Sequence, residues 1–230
     1  MTQRQHLAEL KHYPPWQCHG EAYILNYWAS PQFLQHAKAF NLQASRTGHM
    51  LHVVLLRYQS TPIGVYDALF IVDHPTQQRQ RYSSIVKILV SHPESILSGQ
   101  TFWGLPKELA EFNWIQTNTA MYCEIKTAEH SMMIQLNHAK NNASFYINSH
   151  QLPDSILNVQ QHWQGQRYVF TPQFRGKLCK LKSVQWHNTD GLFPNFNHAR
   201  YIHSFYMPEV QLILPEAKVQ QLKHVSRETP

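Results

Sequence analysis

The chain has 230 residues, of which 43% are hydrophobic and 15% charged, and its formal net charge is +6. This length and composition suit one globular domain over residues 1–230 and exclude a disordered or fibrous chain. No apolar run approaches the ~20 residues that span a bilayer, so we expect no membrane insertion.

The amino terminus and the cysteines indicate a cytoplasmic protein. Residues 1–9 lack the apolar core of a signal peptide. The cysteines are odd in number and widely spaced, at Cys18, Cys123 and Cys179. This pattern fits a reducing compartment and offers no disulfide framework.

Four helices are predicted in chain order. The first covers residues 5–12, and the second covers residues 30–40, where a Ser-Pro pair supplies the cap and the first helical position. Ser91 is expected to cap a single helical turn that ends at Gly99. The last helix is predicted over residues 215–225.

Apolar, aromatic and β-branched residues between short polar links predict many short strands. These strands cover residues 21–28, 50–58, 65–72, 85–91, 112–117, 121–128, 132–137, 144–148, 168–171, 177–186, 202–207 and 210–214. So many short strands predict a mainly β protein, an antiparallel, closed or nearly closed β-barrel with a few peripheral helices. Such a barrel can hold a small ligand in its interior.

Residues 99–112, GQTFWGLPKELAEF, combine two glycines, one proline and three large aromatic side chains with one lysine. Its glycines and proline interrupt any regular helix or strand, and it is too apolar for a solvated loop. The stretch therefore predicts a bend packed against the core. If Lys107 is buried there, its pKa falls, and a neutral amine is a nucleophile towards carbonyl carbon. The alternative is a short helix from Pro106, with Lys107 and Glu111 paired on its exposed face. The local sequence leaves both open.

Residues 82–112, which contain this Pro-Lys turn, resemble the acetoacetate decarboxylase superfamily. In that family a strand, a short helical link ending in glycine and an aromatic-Pro-Lys turn carry a lysine that forms a Schiff base with a β-keto acid. The resemblance extends over residues 13–216. It implies the family's β-rich fold, Lys107 as the nucleophile and a small keto acid or other carboxylate as the ligand, without a cofactor or a metal.

The resemblance and the bend together predict the surroundings of the lysine. Trp103, Phe102 and Tyr66 are the aromatic side chains expected near it, because a Gly-Leu-Pro bend turns the backbone inward. Glu108 and Asp67 are the candidate charged residues of the pocket.

Three positions depart from the family pattern. Glu108 stands where the decarboxylases have a second lysine, and a carboxylate near the amine would raise its pKa. Ala68 stands where the family has a glutamate, and Asp67 beside it would point to the opposite face of the strand. No arginine occurs in residues 5–45, where the family has an active-site arginine. We therefore expect a Schiff-base-forming lyase of decarboxylase, aldolase or dehydratase type, or a non-catalytic barrel that binds a carboxylate ligand.

Other partners receive less support from the sequence. The basic residues are scattered except over residues 175–182, which carry no RNA-binding or zinc-finger signature, so we expect no nucleic-acid partner. His49 and His52 would lie on opposite faces of a strand, so we expect no metal site from them. Trp163 and Tyr201 are compatible with the core or with the interface of a homo-oligomer.

Overall fold

Strands dominate the structure, as the apolar pattern predicts. The computed structural model describes residues 10–74, 82–138, 144–189 and 191–221. The strands, numbered in chain order, are β1 (Trp16–Ala29), β2 (His49–Ser60), β3 (Tyr66–Asp73), β4 (Ser84–Val90), β5 (Lys107–Leu109), β6 (Glu111–Gln116), β7 (Ala120–Lys126), β8 (Ser131–His138), β9 (Ser144–Asn148), β10 (Val159–Trp163), β11 (Gln166–Phe170), β12 (Gln173–His187), β13 (Arg200–Leu214) and β14 (Lys218–Gln221). The α-helices are α1 (Pro31–His36), α2 (Pro93–Trp103) and α3 (Asp154–Leu157).

The strands form one large sheet and one small sheet. The large sheet has the order β5-β4-β3-β2-β1-β13-β12-β8-β7-β6, and β9 pairs with the first half of β12. The small sheet has the order β10-β11-β14. The predicted mainly β class is confirmed.

The predicted closed barrel is wrong. Within the described residues the large sheet ends at β5 on one side and at β6 on the other, and no strand ladder joins these edges. The two edge strands follow each other in the chain with only Ala110 between them. A bend of the chain therefore joins the two ends of the sheet. β5 also runs parallel to β4, against the prediction of antiparallel pairing throughout.

The central strands carry a hydrophobic core on each face, because successive side chains of a strand point to opposite sides. On β2, Leu51, Val53 and Leu55 pack into a first core with β7 and β8. Leu56 and Tyr58 of the same strand pack into a second core, which α2 and the small sheet cover. The candidate site lies in the second core.

The strands predicted on either side of Pro208 are one strand, β13. It continues through the proline at a register shift against β1, between Gly20 and Ala22. Proline has no N–H to give to a ladder, but a bulge leaves a residue unpaired. The strand therefore passes Pro208 without ending.

The start of α1 is as predicted. The Ser30 hydroxyl accepts a hydrogen bond from the Phe33 amide at 3.2 Å, and Pro31 occupies the first turn. Phe33 and Leu34 are the buried residues of this short helix. α1 thus covers one edge of the first core.

The helix after β4 is longer than predicted. Its cap is His92 instead of Ser91, since the His92 ring accepts a hydrogen bond from the Glu94 amide at 3.2 Å. The helix then continues through Gly99 to Trp103. A glycine inside a helix costs about 1 kcal/mol relative to alanine. Helix propensity alone therefore favours an end of the helix at Gly99. A tertiary contact of Gly99 overrides that preference.

Neither of the helices predicted at the two ends of the chain is present in its described part. Most of the helix predicted over residues 5–12 lies outside the described residues, and its described end, residues 10–12, is not helical. The helix predicted over residues 215–225 is wrong in its described part, because Lys218–Gln221 form β14 and pair with β11. Pairing with an open sheet edge outweighs local helix propensity there. No helix in the described part of the chain is long and apolar enough to cross a membrane.

Candidate active site

A bend between α2 and β5 places Lys107. α2 ends at Gly104, whose φ of 64° is the left-handed conformation that glycine adopts without strain. The Leu105 amide donates to the Gly99 carbonyl at 3.0 Å, which closes the last turn of the helix. Lys107 then begins β5. The alternative helix starting at Pro106 is therefore wrong.

The Lys107 side chain is buried, with 6% of the residue exposed. Its Nζ donates a hydrogen bond to Ser95 Oγ at 2.7 Å and lies 5.7 Å from the centre of the Tyr66 ring. No ion pair found among the described residues involves this amine. The amine is thus held by neutral groups.

One face of α2 shapes the space around the amine. Ser95 and Gly99 are four residues apart and lie one above the other on the helix. A Cβ atom at Gly99 would stand only 2.6 Å from both Cδ and Cε of Lys107. The absence of a side chain at Gly99 therefore makes room for the lysine to pass the helix and reach Ser95.

A cavity of about 200 Å³ lies beside Lys107 in the second core. Its walls come from β1 to β4, the small sheet, β13 and α3. Of the 23 lining residues, only Lys107, Tyr58 and Tyr66 carry a polar group, and the other 20 have aliphatic, aromatic, methionine or proline side chains. The lysine therefore faces an apolar chamber.

This burial changes the charge of the amine. Loss of hydration lowers the pKa of Lys107 from its ordinary 10.5 to about 7. A thiolate at Cys18 on β1 would oppose this change. However, burial raises the pKa of the Cys18 thiol to about 12, so it carries no charge at neutral pH. About half of the Lys107 amines are uncharged near pH 7.

Two tyrosines extend the polar contacts of the amine. The ring centres of Tyr58 and Tyr66 are 4.6 Å apart, and the side chains of Tyr58 and Ser95 lie near the Tyr66 hydroxyl. Burial raises the pKa of both phenols well above the ordinary value of 10, so both stay protonated at neutral pH. Ser95, Tyr66 and Tyr58 thus form an uncharged polar cluster beside Lys107.

Of the three predicted aromatic residues, the structure brings only Tyr66 to the cavity wall. Trp103 lies on another side of α2, where its indole Nε1 donates to the Pro215 carbonyl at 2.7 Å. The Trp103 ring also packs edge-on against Trp16, with centres 5.2 Å apart. Phe102 contacts Trp103 in the same way at 5.6 Å. These contacts anchor the end of α2.

Glu108 lies away from the lysine amine. It is the next residue along β5, so its side chain points to the opposite face of the strand. There it forms an exposed ion pair with Lys87 of β4, with the two charged atoms 2.6 Å apart. The expected rise in the pKa of Lys107 from this carboxylate therefore does not occur.

Asp67 and Ala68 lie on opposite faces of β3. The Asp67 carboxylate accepts a hydrogen bond from the Trp114 indole at 3.0 Å, and burial raises its pKa to about 6. Ala68 is buried and lines the cavity that contains Lys107. The position that the family resemblance gives to a glutamate is thus inside the chamber, and it holds a methyl group.

Sequence reasoning missed four residues of this site: Ser95, Gly99, Cys18 and Tyr58. The spacing of Ser95 and Gly99 would have indicated a shared helix face if the full length of α2 had been recognised. Cys18 and Tyr58 lie near Lys107 but belong to β1 and β2. Their placement depends on strand register, which local sequence does not give.

The histidines singled out in the sequence do lie on opposite faces of β2. His49 pairs with Asp73 at 2.7 Å in the first core. The His52 ring hydrogen-bonds to Asn26 and packs edge-on against His74, with ring centres 4.4 Å apart. The described residues contain no group of three His, Cys, Asp or Glu side chains arranged to hold a metal.

A β-rich fold with a Pro-Lys turn that buries one lysine amine in an apolar chamber is the arrangement that the sequence resemblance implied. The comparison with solved structures agrees, and the chain has the fold of the acetoacetate decarboxylase superfamily. The acetoacetate decarboxylase of Legionella pneumophila matches with a TM-score of 0.68 and 14% identity, over 92% of this chain and 90% of that chain.

Two further structures with this fold are enzymes of other kinds. An acetoacetate decarboxylase-like enzyme from Sphingomonas wittichii RW1 matches with a TM-score of 0.63 and 10% identity, over 92% of this chain and 95% of that chain. The enduracididine biosynthesis enzyme MppR complexed with pyruvate matches with a TM-score of 0.59 and 12% identity, over 91% of each chain. No protein-family model and no curated protein sequence matches the chain. At these identities the likeness shows the fold alone.

Proposed function

We propose that the protein is an enzyme that forms a Schiff base between Lys107 and a small carbonyl compound. The observation that carries this proposal is the lysine amine at the wall of an apolar chamber, with its pKa lowered to about 7. An uncharged amine attacks carbonyl carbon, whereas an ammonium does not. The pyruvate complex of MppR supports a keto acid as one kind of carbonyl compound that this fold accommodates.

The reaction begins when the Nζ lone pair of Lys107 forms a bond to the carbonyl carbon. The π electrons of the carbonyl move to its oxygen, which takes up protons and leaves as water, so that an iminium remains. The iminium withdraws electrons from a bond at the neighbouring carbon, which then loses a proton, carbon dioxide or an aldehyde. Protonation and hydrolysis of the resulting enamine release the product and restore Lys107.

Ser95 and Tyr66 are the groups placed to move protons in these steps. Ser95 Oγ accepts from Nζ at 2.7 Å, and the Tyr66 hydroxyl lies near Ser95. These two hydroxyl groups can pass a proton between the amine and the departing oxygen without carrying a net charge themselves.

The second function expected from the sequence is a non-catalytic protein that uses Lys107 as a charged anchor for a carboxylate. That function needs the ammonium form at working pH. Burial without a charged partner disfavours the ammonium. The lowered pKa therefore favours Schiff-base formation over anchoring.

Borohydride reduction tests the proposal, because it converts the imine into a stable secondary amine. The protein is incubated with pyruvate, acetoacetate, propanone or 2-heptanone, reduced and mapped by peptide mass spectrometry. We expect at least one of these compounds to label Lys107 about tenfold more than any other lysine, because among the described lysines only Lys107 has its amine at the wall of the chamber with a pKa lowered to about 7.

The matched variants are Lys107→Met and Lys87→Met. Lys87 lies on the neighbouring strand, but its amine is paired with Glu108 outside the chamber. Labelling should disappear in Lys107→Met and persist at Lys107 in Lys87→Met. If the folded wild-type protein gives no Lys107 adduct with any of the four compounds, the proposal fails and the carboxylate-binding function becomes the better one.

A further inference from the structure

We propose that the substrate of this chamber is an uncharged ketone or aldehyde with an apolar chain, in preference to a keto acid. The inference rests on the proposed function, because it assumes that the carbonyl carbon meets Lys107. It names the chemical class that the walls of the chamber select. Three features of the site support it: the lining, the absence of a counter-charge and the volume.

The lining of the chamber favours hydrocarbon. Beyond Lys107, Tyr58 and Tyr66, the described residues of the walls offer a substrate no polar side chain. Burying each methylene group of a ligand in such a site stabilises the complex by roughly fourfold in affinity. A substrate whose chain follows the walls away from the lysine gains from this lining, and a two- or three-carbon keto acid gains little.

The charged groups of the neighbouring strands turn away from the chamber. The nearest arginine along β2, Arg57, points to the opposite face from Tyr58 and lies over the Trp114 ring at 5.4 Å. Lys87 is paired with Glu108 outside the chamber. A substrate carboxylate inside would therefore lose its hydration, and among the described residues its only cationic partner would be the amine that must stay neutral to react.

The far end of the chamber is uncharged as well. His52 lies two residues beyond the lining residue Val54 on the same face of β2, and His74, which follows β3, packs edge-on against it with ring centres 4.4 Å apart. Burial lowers the pKa of His52 to about 3 and that of His74 to about 4. Both rings are neutral at physiological pH, so they give a carboxylate no charge partner at that end.

The volume sets the size of the substrate. A cavity of about 150 Å³ accommodates benzene, so a chamber of about 200 Å³ holds on the order of eight non-hydrogen atoms. 2-Heptanone has this size. Pyruvate, with six non-hydrogen atoms, would leave part of the apolar chamber unfilled, whereas acetoacetate, with seven, is close to this size and is disfavoured by its charge alone.

The test compares reductive labelling of Lys107 across 2-alkanones from propanone to 2-undecanone. The concentration for half-maximal labelling should fall roughly fourfold for each added methylene, and the gain should stop near eight non-hydrogen atoms. 2-Pentanone and 2-oxopentanoate form a matched pair, since both stay within about eight non-hydrogen atoms, share one propyl chain and differ in a methyl or carboxylate group beside the carbonyl. Labelling of the exposed Lys177 in the same digests corrects for the intrinsic reactivity of each compound. We expect Lys107 to prefer 2-pentanone over 2-oxopentanoate by at least about tenfold.

A variant that fills the chamber provides a second test. Ala68→Leu should move the optimum to shorter ketones by about two or three non-hydrogen atoms while propanone still labels Lys107. Val65→Leu, which adds a methylene at a 69% exposed position, is the control and should leave the optimum unchanged. If Ala68→Leu does not fold, Ala22→Val adds a smaller group to the same wall.

The outcomes separate the two proposals. A preference for 2-pentanone over 2-oxopentanoate, with a length optimum among the 2-alkanones, supports both. Equal or stronger labelling of Lys107 by 2-oxopentanoate, or no dependence on chain length among the 2-alkanones, overturns the inference but leaves the Schiff-base function in place. No labelling of Lys107 by any ketone or keto acid overturns the function itself.

Discussion

Gly99 of α2 and Lys107 of β5 fit together so closely that neither could take an additional atom at their contact. A Cβ at Gly99 would lie 2.6 Å from Cδ and Cε of the lysine and 3.2 Å from Nζ. The lysine chain passes over the bare backbone of the helix and ends at Ser95. A residue that weakens the helix locally thus determines where the Lys107 amine lies.

Gly99→Ala should remove Lys107 from its position without unfolding the protein. Alanine is favoured over glycine inside a helix by about 1 kcal/mol, but its Cβ would displace the lysine chain. We expect labelling of Lys107 to fall at least about tenfold, as measured by reductive trapping and peptide mapping. Gln100→Ala, which adds no atom at the lysine, is the control. Unchanged labelling in a folded Gly99→Ala protein would show that this contact does not position the amine.

Lys107→Met should stabilise the protein, because burial of the amine costs free energy. Between pH 7 and 10.5, the folded and unfolded pKa values of Lys107, the unfolded chain holds a proton that the folded chain has released. The free energy of unfolding therefore rises with pH across this window, and below it the full cost of burying the ammonium is present. At pH 7 this cost is on the order of 4 kcal/mol.

Urea unfolding at several pH values measures this effect. We expect Lys107→Met to raise the free energy of unfolding by about 2 to 4 kcal/mol at pH 7, after the loss of the hydrogen bond to Ser95. The rise with pH above 7 should also be smaller in the variant. Lys177→Met, at an exposed position, should change neither quantity by more than about 0.5 kcal/mol. A destabilised Lys107→Met protein with an unchanged pH dependence would contradict the burial of an uncharged amine.

The sequence predicted the elements that depend on local periodicity. Strand alternation gave most strands within a few residues, and the Ser-Pro pair at Ser30 gave the start of α1. The bend that buries Lys107 was one of two structures compatible with the local pattern. These predictions succeeded because side-chain period and capping are properties of adjacent residues.

The parts of the fold and of the site that the sequence did not predict depend on contacts between residues that are distant in the chain. The three residues of β5 and the four of β14 are too short to show a period, and each forms by pairing with an existing edge. The chamber wall brings Ala22, Ala68 and Met207 together from three strands, which requires the strand register. The continuation of α2 through Gly99 follows from a contact with Lys107 that no helix propensity contains.

Successive side chains of β5 and β3 point to opposite faces of these strands. Removing a carboxylate on the outer face and adding one on the chamber face should therefore have different effects on the pKa of Lys107. Glu108→Gln should leave the pKa of Lys107 near 7, because the Glu108 carboxylate pairs with Lys87 outside the chamber. Ala68→Glu should raise this pKa by at least about one unit, because a carboxylate in the chamber stabilises the ammonium. The pH midpoint of Lys107 labelling measures both effects. A shift of the midpoint in Glu108→Gln, or none in Ala68→Glu, would contradict the placement of these side chains.

The protein should be a poor acetoacetate decarboxylase even though we propose that Lys107 forms an imine. Decarboxylation needs the substrate carboxylate held beside the imine, and the chamber wall has Ala68 where the family resemblance places a glutamate. No arginine or carboxylate is among the lining residues of the described chain. A single missing acid or base typically costs about 10²- to 10⁴-fold in rate, so we expect carbon dioxide release close to the Lys107→Met background. The same preparation should still label at Lys107 with 2-heptanone, which shows that the nucleophile is intact. Wild-type turnover of acetoacetate on the order of 1 to 10³ per second would mean that other residues bind and activate the carboxylate, and that the apolar chamber does not select against charge.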